Sequence, residues 1–128
     1  MLTREQILSM EVGRELDIRV IEDVLGAVKE LNGAREVVWR GKYRYYFLDS
    51  FKPSTDISAA FEIEIEIMTM EGHIQIGYVS RLHEIVGVGF GKPLTVVEEL
   101  KLIHATPEQR CKAALLAVLN LWEEDYHD

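Results

Sequence analysis

The chain has 128 residues, 48% hydrophobic and 28% charged. That length and balance suit one folded domain with its own core and exclude a disordered chain. The net charge of −8 argues against general binding to a nucleic-acid duplex, whose backbone calls for clustered positive charge.

"TREQ", residues 3 to 6, has the form of a capping box, with Thr3 as N-cap and Gln6 three positions later, so a short helix is expected there. Gly13 interrupts it. A second helix is expected to carry Leu16, Val20, Ile21, Val24, Leu25 and Val28 at helical spacing, with Arg14, Asp17, Glu22 and Asp23 on its polar side. "LNG", residues 31 to 33, is its stop, with Gly33 able to take the left-handed cap conformation. "EVVWRGKYRYYFL", residues 36 to 48, is aromatic and β-rich, and Gly41-Lys42 suits a tight hairpin turn. "DSFKPS" reads as a loop, and Pro53 disfavours helix at Lys52.

"AAFEIEIEIMTM", residues 59 to 70, is ambiguous in its periodicity. As a strand it would put Phe61, Ile63, Ile65 and Ile67 on one face. As a helix it would present a stripe of Ile57, Phe61, Ile65 and Met68, flanked by Ala60, Ile63, Glu64 and Ile67. The flanks favour helix: Ser54 or Thr55 as cap, Asp56 at the positive end, and Ala59-Ala60. "HIQIGYVSR", residues 73 to 81, alternates and predicts a strand; "HEIVGVGFG", residues 83 to 91, predicts a glycine-weakened partner strand. "VEELKLIHA" is read as a last strand ending near Ala105. "TPEQRCKAALLAVLNLW" predicts a helix with Thr106 as N-cap, Pro107 at the first position and Gln109 closing a capping box. Cys111, Ala114, Leu115, Val118 and Trp122 mark its buried face. Helices at both ends and in the middle, with short connections between strands, predict an α+β fold. It is expected to be a single domain over residues 1–128, a three-layer α/β/α sandwich with a small, mainly antiparallel sheet between helices.

Three stretches resemble the phage ABA sandwich domain family, small proteins of phages and prophages: "LTREQILSMEVGRELD" at residues 2 to 17, "STDISAAFE" at 54 to 62 and "CKAALLAVL" at 111 to 119. The resemblance implies an α/β/α sandwich and a helix over "STDISAAFEIEIEIM". It implies no activity and brings no catalytic residues, because the family is named for its fold. The chain departs from the family's usual pattern at Phe61, where tryptophan is common, and at Lys112, where arginine is common. The family's helix after the "GRELD" motif usually ends near "VLG"; here "AVKELNG" is read as extending it.

Motifs for familiar chemistries are incomplete. "GVGFGKP", residues 87 to 93, lacks the first P-loop glycine, since Val86 stands there, and has Pro93 where Ser or Thr is needed. It fails the dinucleotide pattern too, as a proline and no helix follows. "HEIVG" has Gly87 where the second histidine of a zinc-protease helix belongs. His73, His83 and His104 could meet in a sheet, but no spacing dictates it; His127 lies near the terminus. Cys111 is the one cysteine, so no intrachain disulfide or cysteine-based zinc site is expected, and a core role suits it better than a reactive one. In "GRELD", Arg14, Glu15 and Asp17 read as helix-start electrostatics and solvation, with Glu15 and Arg19 four apart, rather than as a polar site.

"WRGKYRYY", residues 39 to 46, is the candidate ligand site. Trp39, Tyr43 and Tyr45 alternate with Arg40, Lys42 and Arg44, which suits stacking a base while pairing its phosphates. The structural alternative is an amphipathic hairpin in which Trp39, Tyr43 and Tyr45 cover the sheet and the cations face water. The expectation is a phage- or prophage-derived accessory protein of the host cytoplasm that acts without catalysis by binding a host or phage protein or regulatory target, with a homodimer as a narrower form. The alternative is a small-nucleotide-binding, signal-sequestering module built on residues 39–46. No cofactor, metal or membrane span is expected, and no signal peptide from "MLTREQILSM".

Overall fold

The Thr3–Gln6 capping box opens the first helix, α1 (Arg4–Ser9), with both reciprocal hydrogen bonds formed. A computed structural model describes residues 2–121. Gly13, at φ 127°, separates α1 from α2 (Arg14–Asp23). The expected extension of this helix through Val28 does not form. Gly26 turns the chain at φ 67°, and the apolar residues beyond it enter β1 (Val28–Leu31), which pairs antiparallel with β2 (Val37–Arg40). β3 (Tyr45–Tyr46) completes a three-stranded antiparallel sheet in the order β1-β2-β3.

Residues 57 to 67 are helical, α3 (Ile57–Ile67), as the flanks predict. The cap is Asp56, whose carboxylate accepts from the Ser58 N–H at 3.1 Å. Ser54, one of the two expected caps, is instead buried against the start of α2. Its hydroxyl accepts from the Gly13 N–H at 2.9 Å and its own N–H donates to Asp17 at 2.8 Å. The buried face of α3 is the opposite of the expected stripe: Ala59, Ala60, Ile63 and Ile67 go inside. The alanines are the physical reason, since two small residues let the helix axis approach its neighbour closely.

The largest correction concerns residues 72 to 105. The two expected strands over 73–81 and 83–91 form a helix, α4 (Gly72–Val86), followed by a loop. The alternation of isoleucines is incidental. In the helical frame Ile74, Gly77, Tyr78, Arg81 and Leu82 share a face at intervals of three, one, three and one. Gly87, read from sequence as a weak point in a strand, ends α4 in the left-handed conformation at φ 89°, and the Gly87 and Val88 N–H groups bond back to the last turn. The expected strand ending near Ala105 is likewise a helix, α5 (Val96–Ile103), opened by a complete capping box between Thr95 and Glu98.

α6 (Pro107–Val118) forms as expected, with Thr106, Pro107 and Gln109 in their capping roles. Trp122 and His127 lie outside the described residues. α6 is the centre of the molecule: α1, α2, α3 and α4 all pack on it, and α5 packs on α4. Cys111 and the run from Ala113 to Leu116 are completely buried. α4 runs closest where Gly77 faces Ala117; a Cβ added at Gly77 would lie 3.6 Å from that of Ala117. Even Lys112 is buried, its ammonium donating to the Leu8 carbonyl at 2.8 Å and to Glu108 at 2.7 Å. The protein is thus mixed α/β, with six helices and a three-stranded antiparallel sheet among the described residues.

Candidate functional site

The hairpin β2–β3 turns through Gly41–Arg44, closed by the Gly41 N–H donating to the Arg44 carbonyl at 2.8 Å. Lys42 and Tyr43 therefore sit at its tip, one position later than the expected Gly41-Lys42 turn. The register pairs Trp39 with Tyr46 and Arg40 with Tyr45. Side chains directly opposite share a face. Trp39 and Tyr46 accordingly point inward, while Arg40 and Tyr45 point outward.

This register divides the sequence-predicted ligand residues. Trp39 is buried in the core, and its indole N–H donates to the Glu22 carboxylate of α2 at 2.9 Å. Tyr43 and Tyr45 are exposed, at 87% and 50%. The expectation that both would cover the sheet together with Trp39 is therefore corrected. Arg40 bonds Glu30 of β1 at 3.0 Å. Arg44 bonds Glu62 of α3 at 3.1 Å and lies over the Tyr46 and Phe51 rings. Lys42 lies 5.3 Å from the centre of the Tyr43 ring. What the structure brings together on the water side is Arg40 beside Tyr45 and Lys42 beside Tyr43. Exposed ion pairs such as Arg40–Glu30 are worth at most about 1 kcal/mol, so an incoming phosphate has little to displace.

The "GRELD" residues separate in the same way. Glu15 lines a groove of about 560 Å³ with Gln6, Ser9 and Met10. Asp17 is buried and tethers Ser54, at the floor of a groove of about 420 Å³ that Arg14, Asp49 and Lys52 also line. Burial pushes the Asp17 carboxyl above the usual aspartate value of 3.8, more than the Ser54 hydrogen bonds and the Lys52 charge pull it down. A carboxyl with a raised folded-state value favours folding while protonated. Its contribution is whole below pH 3.8 and is lost as pH rises through the raised value. Asp17→Asn keeps the acceptor for Ser54 and cannot ionise. Its melting temperature is expected to gain on wild type as pH rises from that point to neutrality. Asp17→Ala strands the Ser54 N–H and is expected to cost about 1–3 kcal/mol at the acid end, a cost that shrinks as pH rises because alanine, like asparagine, cannot ionise. Parallel melting curves for wild type and Asp17→Asn across that range would contradict the assignment.

The histidines do not meet. His73 is exposed at the start of α4 beside Glu71, His83 is buried with Nδ1 2.9 Å from the Gly89 carbonyl, and His104 caps α5. Among the described residues no group of three or more His, Cys, Asp or Glu side chains is arranged to hold a metal ion. Cys111 is in the core, where burial pushes its thiol upward, away from the reactive thiolate. No described helix is long and apolar enough to cross a membrane.

Sequence reasoning missed one surface. α5 buries none of its residues, yet Val96, Val97, Leu100 and Ile103 recur at helical spacing and are 49–72% exposed. Reading residues 97 to 105 as a strand hid this stripe; the Thr95–Glu98 capping box was the signal that could have revealed it. On α3 the outward stripe of Ile57, Phe61, Ile65 and Met68 is 40–71% exposed. The two stripes meet at Arg110. Its guanidinium lies 5.1 Å from the centre of the Phe61 ring and donates to the Ile103 carbonyl at 2.9 Å. Comparison of the chain with protein-family models, with curated proteins and with solved structures found no match.

Proposed function

We propose that the protein is a small phage- or prophage-derived accessory protein of the host cytoplasm that works without catalysis, by binding a host protein or regulatory target. The observation that carries the binding role is α5, an amphipathic helix with its whole apolar stripe in water. Apolar patches beyond a few hundred Å² mark interaction surfaces, and this one continues onto α3. The phage origin rests on the resemblance of residues 2 to 17, 54 to 62 and 111 to 119. The three-layer α/β/α arrangement belongs to the same proposal. Val38 and Trp39 are successive on β2, so they lie on opposite faces of the sheet, and both are 1% exposed; that supports cover over Trp39 on one face and over Val38 on the other, whose far end Arg40 and Tyr45 leave to water.

The test is differential capture from host lysate with wild type and Val97→Glu/Ile103→Glu. Both positions are exposed on the single chain, so the variant is expected to stay folded with a cooperative melt and to lose the specific partners. Identical captures by both proteins would remove the α3–α5 surface from the binding role.

A second reading, a small-nucleotide-binding module, is favoured by the pairing of Lys42 with exposed Tyr43 and Arg40 with exposed Tyr45. A nucleotide at a hundred times its dissociation constant stabilises the fold by about 2.7 kcal/mol. A thermal-shift screen against nucleotides and cyclic dinucleotides is expected to show this, and Arg40→Ala/Arg44→Ala to abolish it. A flat screen with working controls would discard the reading.

A further inference from the structure

We infer that the occupant of the α3–α5 face is a second copy of this chain, so that the protein is a two-fold homodimer built on these two helices. The inference rests on reading the face as a binding surface and deepens it: the face joins two copies, and the host target is met by the dimer it builds, so that losing the dimer loses the captured partners.

Area is the first argument. The stripes on α3 and α5 hold four large apolar side chains each, 40–72% exposed. Together they present on the order of 800 Å², about what one partner buries in a standard-size interface. Arg110 links them, with the Phe61 ring of α3 and the last turn of α5 both on its guanidinium, which brings the two stripes near each other at that point.

Composition is the second. The face is isoleucine, valine, leucine, methionine and one phenylalanine, with no tyrosine, tryptophan or arginine side chain in its stripes. Interfaces that form and dissolve are about as polar as the rest of the surface, whereas homodimer interfaces are more apolar and resemble a core cut in half.

Charge is the third. Two copies of a chain with net charge −8 repel unless the meeting face is locally neutral. Two carboxylates of α3 near this face are compensated within the molecule, Glu62 by Arg44 at 3.1 Å and Glu64 by Arg110 at 2.7 Å. On α5, Glu98 is engaged in its own cap and has Lys92 and Lys101 within electrostatic reach. Glu66 of α3 and Glu99 of α5 have no ion pair among the described residues, so the compensation is partial. A two-fold contact places the same patch on both copies, and each internally paired carboxylate removes one source of the repulsion that an acidic chain meets in its own copy.

The test is the mass in solution, by light scattering coupled to gel filtration, of the full chain and two variants with circular-dichroism melts as the folding control. Wild type is expected at twice 14.7 kDa. Val97→Glu/Ile103→Glu on α5 and Ile65→Glu on α3 are each expected to weaken the dimer by roughly a hundred-fold or more, because every substitution enters the interface twice. Monomeric wild type overturns the inference, as does a dimer that survives either variant. The binding role fails separately. If wild type is monomeric while Val97→Glu/Ile103→Glu still changes the captured partners, the surface binds another protein. If neither mass nor capture changes, the surface binds nothing and both readings fall.

Discussion

Glu64→Ala is expected to cost about 3–5 kcal/mol, the penalty for leaving a buried charge without its partner. Glu64 on α3 receives two donors at one carboxylate oxygen: the Arg110 guanidinium of α6 at 2.7 Å and the Tyr78 hydroxyl of α4. Arg110 is almost fully buried, its side chain 8% exposed. Its remaining donors go to the Ala105 and Ile103 carbonyls at 2.9 Å each. The guanidinium therefore fastens three elements at once: α3 through Glu64, the end of α5 through Ile103, and the link to α6 through Ala105. Burial and the Glu64 carboxylate both push the Tyr78 phenol up, so it stays protonated and keeps donating. Removing the carboxylate leaves the guanidinium without its counter-charge and the partner of its Nη1, and leaves the phenol without an acceptor.

The expected pattern across variants is sharper than the single value. Glu64→Gln keeps an acceptor and loses only the charge, so it should cost less than Glu64→Ala. Arg110→Met removes the charge but frees the Ile103 and Ala105 carbonyls. In Glu64→Leu/Arg110→Met no charge is left buried, and the double variant should cost clearly less than the sum of its singles, a coupling of about 1 kcal/mol or more. Urea denaturation of wild type, Glu64→Leu, Arg110→Met and the double variant measures it. Additive costs would mean that the two side chains act independently, contrary to their shared contact.

The same cluster explains why only part of the fold is legible in the sequence. The ends of α1 and α6 are written locally, because a capping box satisfies its orphan N–H groups within four residues. The helical nature of α3 is also local, carried by its start and by Ala59-Ala60. Its orientation is not. Both stripes of α3 are apolar, and the choice between them is made by Arg110 holding Glu64 from α6 and by two alanines fitting a neighbouring helix. α4 fails for a related reason. Its isoleucines alternate by accident and mask the helical spacing of Ile74, Gly77, Tyr78, Arg81 and Leu82, while the close approach of Gly77 to Ala117, forty residues away, has no local sign. α5 was legible through Thr95 and Glu98, and the β-like run of apolar residues concealed it. At the hairpin, alternation counted straight through the sequence puts Trp39, Tyr43 and Tyr45 on one face. The Gly41–Arg44 turn resets that count, so the inward partner of Trp39 is Tyr46.

Trp39→Ala is therefore expected to act on stability, not on recognition, at a cost of about 3–5 kcal/mol for a large aromatic removed from a closed core. Trp39 is 1% exposed and packs within the main hydrophobic cluster, so its ring presents no face to a ligand in solution. Trp39→Phe keeps most of the volume and loses the indole bond to Glu22, which joins the sheet to α2. A hydrogen bond to a charged acceptor is worth about 1.5–3 kcal/mol, so this variant should fall between wild type and Trp39→Ala in urea denaturation. Tyr43→Ala is the counterpart. At 87% exposure on the hairpin tip, it is expected to change stability by no more than about 0.5 kcal/mol, while a stacked base would be worth about 1–3 kcal/mol of binding there. The two substitutions thus separate the roles that the run from Trp39 to Tyr46 mixes in sequence. A ligand lost in Tyr43→Ala with the melting temperature intact would place recognition at the tip. A Trp39→Ala protein as stable as wild type would mean that the indole is not part of the core and would restore it to the ligand site.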